Sequence, residues 1–338
     1  MANKKKKNRN SLFLLGGAFV VLLALVLITS AGKDSGALGP DGGPLFGGID
    51  VMDLTAVMLD YDWEIQHMGR IESIGLEREE DAWYITVPGR YKTDPMKAAE
   101  FLERVISLES RRRIEPDASD LSQFGLDEPR LVIDVATKKT NIRLLIGGDM
   151  VTSVEQERIA IAYAKFENDD YVYIVNAERI DMLNEHPDDL RFRHVFQFDR
   201  GDLLEVTFDY QGRTLDFVRE DGDWYLRSGA PEKRQIRNER MTAFLADFYN
   251  FAVDGFIVDE GRAWDYDIKP GERNYLRVLC RERGEMMLSF GREITERITC
   301  MVEGDPAVYE VEKFKFERLN QDEDYFFGLT DESAEEAN

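Results

Sequence analysis

The sequence is poor in the residues that build redox and metal centres. Its 338 residues include two cysteines, three histidines and 10 prolines. The histidines, His67, His186 and His194, do not have the four-residue spacing of a helical zinc pair, so we expect polar or salt-bridged roles for them and no metal site. The sequence contains no Gly-x-x-x-x-Gly-Lys-Ser/Thr phosphate loop and no Gly-x-Ser-x-Gly elbow. These absences exclude ATP hydrolysis by such a loop and argue against a hydrolase, so we expect no catalytic residue, no cofactor and no enzymatic activity.

Charge is abundant but strongly unequal. The chain has 43 basic and 66 acidic residues, which gives a formal net charge of −23. An acidic protein repels phosphates, so the composition excludes nucleic acid as a partner. The first ten residues nevertheless carry four lysines and one arginine without an acid, and residues 11–30 carry no charge at all.

The uncharged run over residues 11–30 predicts a transmembrane helix. About 20 residues at about 1.5 Å each match a hydrocarbon core of roughly 30 Å. The basic residues 1–10 then form a cytoplasmic tail by the positive-inside rule, and the rest of the chain is exported. A cleaved signal peptide is the alternative, and retention or cleavage stays open. The predicted location is the bacterial inner membrane, crossed once, with the bulk of the chain periplasmic.

Glycine and proline are concentrated in residues 31–50, which contain seven glycines and two prolines. Such a composition predicts a flexible linker. At the other end, residues 328–338 are small and acidic and predict a disordered tail.

Between these ends the sequence repeats itself. Trp83-Tyr84 and Trp224-Tyr225 each follow an arginine, a glutamate and an acidic turn, at an offset of 141 residues. Val172–Val175 and Val308–Val311 match at an offset of 136. Matches in the same order predict two tandem units, over residues 51–198 and 199–327.

Each unit has the same predicted content: a hairpin, one long helix, a turn, a run of strands and one short helix. Asp94 and Pro95 fit the start of the first long helix, and Gly125 and Asp267 can both adopt a positive φ in the turns. The short helices are predicted at 177–184 and 312–319. Segregated strands predict an α+β fold, in which the transmembrane helix is followed by two units of mainly antiparallel strands.

Several residues allow two interpretations. Cys280 and Cys300 lie on the apolar faces of predicted strands, and either a disulfide or buried free thiols fit. The acidic groups at 167–170 and 265–269 resemble calcium loops in part, but solvated turns fit better. Trp83 and Trp224 fill the core or stack on a glycan, and the core is favoured because the pair repeats. Arg111–Arg113 is predicted to end the long helix, with a partner or lipid contact as the alternative.

The order of several weak motifs resembles the bacterial domain-of-unknown-function family 4340. These motifs are Trp83-Tyr84 with Pro88, the helix start at Asp94, the aromatic-Gly-Leu-x-x-Pro turn at 124–129, Leu145-Ile146-Gly147, Tyr163-Ala164, Val172–Val175 and Asp189-Leu190-Arg191. The resemblance covers roughly residues 70–330 and is strongest over 75–197. The second unit departs from the pattern, since Asp267 replaces the turn glycine.

This resemblance implies a role and names no active-site residue. Family members look like membrane-anchored envelope proteins, often encoded beside ABC-2-type permeases, their ATPases and gliding-motility auxiliary proteins. The resemblance therefore implies a non-catalytic, extracytoplasmic accessory or scaffold subunit of such a transport system, with the membrane, the permease and auxiliary envelope proteins as partners. The alternative is an envelope structural module that binds peptidoglycan or polysaccharide.

Overall fold

A computed structural model describes residues 42–61, 73–114, 121–154, 157–194, 198, 200–227 and 232–328, with only the backbone over 152–154 and 157–159 and at residue 200. The chain forms two compact units, which divide between Phe192 and Arg193. The predicted cytoplasmic tail, the first part of the predicted linker and nearly all of the predicted acidic tail lie outside the described residues.

Unit 1 is one antiparallel sheet with a long helix on one face. Its strands are β1 (Gly43–Pro44), β2 (Leu54–Tyr61), β3 (Ser73–Glu79), β4 (Ala82–Val87), β5 (Tyr91–Lys92), β6 (Glu109–Ile114), β7 (Leu131–Thr137), β8 (Asn141–Val154), β9 (Glu157–Phe166) and β10 (Val172–Asn176). Its helices are α1 (Pro95–Ile106), α2 (Ala177–Asp181) and α3 (Pro187–Leu190), with 3-10 turns at Val51–Asp53 and Ser122–Phe124.

Unit 2 has the same element order. Its strands are β11 (Leu203–Tyr210), β12 (Arg213–Glu220), β13 (Asp223–Leu226), β14 (Arg234–Gln235), β15 (Gly255–Val258), β16 (Tyr275–Cys280), β17 (Gly284–Ile294), β18 (Arg297–Val302) and β19 (Val308–Glu312). Its helices are α4 (Asn238–Tyr249), α5 (Lys313–Leu319) and α6 (Glu323–Phe327), with 3-10 turns at Arg200–Asp202 and Ala263–Tyr266.

The two sheets share one strand order. Unit 1 runs β1-β6-β10-β9-β8-β7-β2-β3-β4-β5, and unit 2 runs β15-β19-β18-β17-β16-β11-β12-β13-β14. The strands therefore correspond one to one, except that β1 has no counterpart among the described residues. Within each sheet, neighbouring strands pair in the antiparallel sense, as expected for strands connected by hairpins.

The first long helix is capped by a side chain at its start, and both long helices bury one apolar face. The Asp94 carboxylate accepts hydrogen bonds from the backbone N–H groups of Met96 and Lys97 (2.9 and 3.2 Å), which confirms the predicted N-cap of α1. The buried side chains of α1 are Ala98, Phe101, Leu102 and Val105. Those of α4 are Met241, Phe244 and Phe248. This three-and-four spacing places one apolar stripe on each sheet, where each fully buried large side chain contributes about 1.5–3 kcal/mol.

The predicted fold class is wrong in one element, the N-terminal transmembrane helix. The sequence assigns that helix to residues 11–30, which lie outside the described residues. Within the described ranges, no helix is both long and apolar enough to cross a membrane. The longest, α1 and α4, have 12 residues each and are about 18 Å long, against roughly 30 Å for a hydrocarbon core. The observed fold is α+β and consists mainly of antiparallel strands.

Candidate functional site

Comparison of the two units distinguishes residues that occur at equivalent positions in both, and so maintain the shared fold, from residues that occur in one unit only. Trp83 and Trp224 belong to the first group. Trp83 packs against the core of unit 1, and Trp224 is 6% exposed in the core of unit 2. Their carbonyl oxygens accept hydrogen bonds from Thr93 N–H and Ile236 N–H, respectively. These backbone bonds join each hairpin to the segment before the following helix, and both rings pack against the cores of their units, as the repetition predicts.

The acidic turn at 167–170 is also a repeated structural feature. Asp169 accepts hydrogen bonds from Tyr171 N–H (3.1 Å) and from the Tyr173 hydroxyl (2.5 Å). Asp305 accepts the same two bonds in unit 2, from Ala307 N–H and the Tyr309 hydroxyl. Each aspartate ties a turn to the strand that follows, so its oxygens are engaged by protein donors.

The second calcium-like segment and the histidines have local roles. Asp265 forms an ion pair with Arg262 (2.9 Å), and Asp267 has φ 59° at the end of the 3-10 turn. His186 Nδ1 accepts a hydrogen bond from Asp188 N–H (3.2 Å) and caps α3, His194 is exposed, and His67 lies outside the described residues. In the part of the chain that the structure describes, no group of three His, Cys, Asp or Glu side chains is arranged to hold a metal ion.

The cysteines are free thiols. Cys280 lies on β16 opposite Gly284, whereas Cys300 lies on β18 opposite Phe290. Strand β17 separates them, and their partners are six residues apart along it, about 20 Å at the rise of a strand. A disulfide needs Cα atoms within about 7 Å. The structure thus decides between the two interpretations in favour of buried thiols.

Unit 1 contains a segment, residues 42–49, that has no counterpart in the described part of unit 2. We call the surface formed by this segment, the outer face of α1 and strand β6 the entry surface. Leu45 and Phe46 fall within the predicted linker but are buried, at 5% and 2% exposure. Leu45 N–H donates to the carbonyl oxygen of Leu108 (2.8 Å), and Gly43 pairs with Ser110. The segment is therefore held both by its apolar side chains and by strand pairing.

A glycine is needed where this segment meets β6. Gly42 has φ +92°, and a Cβ there would stand 2.4 Å from the carbonyl oxygen of Ser110. Only a residue without a side chain can approach the strand so closely. The same Cβ would stand 2.8 Å from the carbonyl oxygen of Arg111, so Gly42 lies against both of these residues of β6.

A groove of about 890 Å³ lies between residues 44–49 and α1. Its lining includes Phe46, Ile49, Glu100, Glu103, Arg104 and Glu185. Arg104 forms an ion pair with Glu185 and donates to the carbonyl oxygen of Met182 (2.9 Å). The groove thus has an apolar floor and a charged rim.

The basic cluster Arg111–Arg113 is placed differently from its prediction. Helix α1 ends at Ile106, and the three arginines lie on strand β6. The pairing of β6 with β10 imposes the extended backbone, since Arg112 is opposite Ile174 and Arg113 is opposite Tyr173. Arginine is a good helix former, so its local preference is overridden by the sheet. The helix-dipole role assigned from the sequence is therefore wrong.

Arg113 is partly sequestered, whereas its neighbours are exposed. The Arg113 guanidinium lies 3.9 Å from the centroid of the Tyr171 ring, a cation–π contact. Arg111 and Arg112 are exposed. They are the most concentrated positive charge of the entry surface, and sequence reasoning placed them on the wrong element.

Comparisons with known proteins found one family. The model of the family described as "Domain of unknown function (DUF4340)" matches residues 83–270, which is more than half of the chain. The match runs from β4 of unit 1 to the turn before β16 of unit 2 and includes α1 and β6. No curated protein and no solved structure matches the chain.

Proposed function

Because the chain belongs to the DUF4340 family, we propose that it is a non-catalytic accessory or scaffold subunit of an ABC-type, gliding-motility-like transport system. The resemblance of the sequence to this family implies that role, and the family match supports it. We propose that the two units work outside the cytoplasm, in the periplasm. The resemblance to the family, which implies an extracytoplasmic role, supports this location.

The observation that carries the proposal is the combination of family membership with the entry surface, which residues 42–49 complete in unit 1 and which lacks such a segment in the described part of unit 2. A duplicated fold that served only as a spacer would need no surface of this kind in one copy. The entry surface instead gathers a groove and exposed arginines, and its parts on α1 and β6 lie within the family match. A permease or an auxiliary envelope protein is the partner that the family resemblance implies.

Affinity purification of the tagged full chain from mild detergent extracts tests this proposal. We expect co-purification of an ABC-2-type permease or its ATPase, identified by mass spectrometry, and not in extracts that contain an unrelated tagged envelope protein. Reproducible recovery of the chain without any transport subunit, before and after chemical cross-linking, contradicts the proposal.

A second candidate function is binding of peptidoglycan or polysaccharide, and Trp264 favours it. This side chain is 71% exposed on a 3-10 turn of unit 2. An exposed aromatic ring can contribute to a binding surface because it presents an apolar face to a ligand. Sedimentation with purified cell wall separates the candidates, since only the second predicts binding that Trp264→Ala abolishes. Trp264→Ala removes little buried area, because the side chain is 71% exposed, so unchanged stability of the variant serves as a check on folding.

A further inference from the structure

The outer face of helix α1 differs from that of the equivalent helix α4. Both helices have 12 residues, with buried side chains at equivalent positions, so their sequences align without a gap. Glu100 and Glu103 lie opposite the buried stripe of α1, and both are exposed. The same positions of α4 are occupied by Ala243 and Ala246. The shared fold therefore does not require acidic side chains on this face.

Methionine side chains add an apolar component to the same surface. Met96 is the second residue of α1 and is 74% exposed. The equivalent residue of α4 is Glu239, and the helix dipole favours an acid in the first turn. Met182, which is 51% exposed, lies beside α1, since its carbonyl oxygen accepts a hydrogen bond from Arg104 (2.9 Å). Exposed methionines are typical of surfaces that bind polypeptides, because their flexible side chains adapt to a partner.

We propose that the outer face of α1 and the adjoining groove bind a basic, amphipathic segment of a partner polypeptide. Apolar side chains of this segment contact Met96 and Met182, and its lysine or arginine side chains pair with Glu100 and Glu103. An amphipathic segment that lays its apolar face into a groove is a recurring mode of peptide recognition. The inference concerns this surface alone and does not depend on which transport system the chain serves.

The groove supplies further apolar contact beside the helix. Its volume of about 890 Å³ is large enough for several side chains of a peptide. Ile49 and Ile106 line the groove and are only partly buried, and Pro44 at its margin is exposed. The apolar area therefore continues from the helix onto residues 44–49.

Charge selects a basic occupant. Among the described residues, neither Glu100 nor Glu103 forms an ion pair. Of the two basic residues that line the groove, Arg104 pairs with Glu185, which leaves Lys97 alone against two unpaired carboxylates. The whole chain has a net charge of −23, which attracts basic segments and repels acidic ones.

The ion pair of Arg104 is a feature that both units share. In unit 1 it joins the long helix to Glu185, a few residues after the short helix α2. In unit 2, Asp247 occupies the position of Arg104 and pairs with Arg318 of α5 (3.5 Å). Both units thus connect the long helix to the region of the short helix, with the charges reversed. An arginine held in this way maintains the fold and does not neutralise the exposed glutamates.

A basic polypeptide fits this face better than a membrane or a second copy of the chain. An acidic surface repels an anionic membrane. A symmetric contact between two copies places the same patch of each copy against the other. Glu100 and Glu103 of one copy would then face the same glutamates of the next, which is repulsive.

Fluorescence anisotropy with the purified full chain tests the inference. The probe is a short labelled peptide in which lysine and leucine follow the spacing of an amphipathic helix. It is compared with a scrambled peptide of the same composition and with a glutamate–leucine peptide of the same pattern. We expect the first peptide to bind most tightly and salt to weaken its binding. Glu100→Lys/Glu103→Lys should weaken binding by about tenfold or more, because two ion pairs are replaced by repulsion. Glu100→Asp/Glu103→Asp should retain most of it.

Asp127→Lys/Glu128→Lys is the matched control, since it reverses two exposed acids of unit 1 that lie outside α1 and should leave binding nearly unchanged. Met96→Ala should also weaken binding, with the melting temperature unchanged because the side chain is 74% exposed. Circular dichroism establishes that each variant is folded.

Absence of binding, equal binding of the scrambled peptide, or equal loss in both lysine double variants overturns the inference. Self-association of the chain that Glu100→Lys/Glu103→Lys abolishes overturns it in favour of a second copy. Binding of vesicles made of equal parts phosphatidylglycerol and phosphatidylcholine, without peptide binding, overturns it in favour of a lipid site. These outcomes are decided without a transporter, so they are distinct from failure of the proposed function.

Discussion

A Cβ atom at Gly147 would stand 2.1 Å from the backbone carbonyl oxygen of Phe124. Unit 2 has the same relationship, with 2.2 Å between a Cβ at Gly291 and the carbonyl oxygen of Tyr266. In both units a 3-10 turn therefore presses its backbone onto a strand of the sheet. This contact explains in physical terms why an aromatic turn and a glycine inside the facing strand recur together in the sequence.

Replacement of either glycine by alanine should destabilise its unit. Gly147→Ala and Gly291→Ala each place a methyl group against a backbone oxygen, which cannot rotate away as a side chain would. We expect the free energy of unfolding to fall by about 1–3 kcal/mol or more, measured by denaturant titration. Gly148→Ala is the matched control, because its Cβ would stand 3.8 Å from the same Phe124 oxygen, an ordinary contact. Equal stability of the Gly147→Ala and Gly148→Ala variants would refute the explanation.

The residues with positive φ at the ends of the two 3-10 turns lead to a second prediction about stability. Asp267 has φ 59°, and the equivalent Gly125 has φ 62°. Aspartate tolerates the left-handed region, but a residue without a Cβ has no steric cost there. We expect Asp267→Gly to leave the free energy of unfolding unchanged or to raise it by up to about 1 kcal/mol. Asp267→Val should lower the free energy of unfolding by about 1–2 kcal/mol. A more stable valine variant would contradict this account of the turn.

Much of the fold is visible in the sequence because local chemistry and tertiary contacts agree. The repeated Trp83 and Trp224, the Asp94 cap and the positive φ at Gly125 and Asp267 each follow from a residue type at a fixed spacing. The resemblance to the family is confirmed by its match over residues 83–270, a shorter range than the motifs indicate. The transmembrane helix is the part of the predicted fold class that fails, and it concerns residues beyond the described ranges.

The entry surface was not predictable for a physical reason. Its composition misleads, since glycine and proline around Leu45 and Phe46 are typical of a linker, yet the two apolar side chains fit the core beside α1. Arg111–Arg113 prefers a helix locally and is extended only because β10 lies beside it. Both errors come from contacts between residues distant in sequence, which a single sequence does not report.

Two neighbouring glutamates should give opposite pH dependences. Burial, followed by the negative charge of Glu79, raises the pKa of Glu77. A hydrogen bond from Arg90 lowers the pKa of Glu79. A raised pKa in the folded state means that the stability from protonated Glu77 is present below the unfolded-state pKa and is lost as pH rises through the folded-state pKa. For Glu79 the stability is present above the unfolded-state pKa and is lost as pH falls through the folded-state pKa.

Melting temperatures at neutral and acidic pH test these signs. Glu77→Gln should raise the melting temperature near pH 7 and leave it unchanged near pH 3, because the amide resembles the protonated acid. Glu79→Gln should lower the melting temperature near pH 7, because the hydrogen-bonded ion pair with Arg90 is weakened, and should also have no effect near pH 3. Shifts of the same sign in both variants at neutral pH would refute the assignment.

The reactivity of the two cysteine thiols can be tested on the unsubstituted protein. Cys280 and Cys300 are buried free thiols, and burial raises the pKa of each, with a further contribution at Cys280 from the negative charge of Asp202. A thiol with a raised pKa has little thiolate at neutral pH, and thiolate is the form that attacks disulfide reagents. We expect no rapid reaction of the native chain with a disulfide reagent at pH 7.5.

Unfolding in denaturant without a reductant should release two reactive thiols per chain. Release of no reactive thiol would indicate a disulfide between them and would contradict the separation of the two cysteines across β17. Cys300→Ala should behave as a core truncation and release one thiol, with a loss of stability of about 1 kcal/mol from the small cavity left behind. Addition of a reductant should not change the melting temperature of the native chain, since there is no cross-link to remove from the unfolded state.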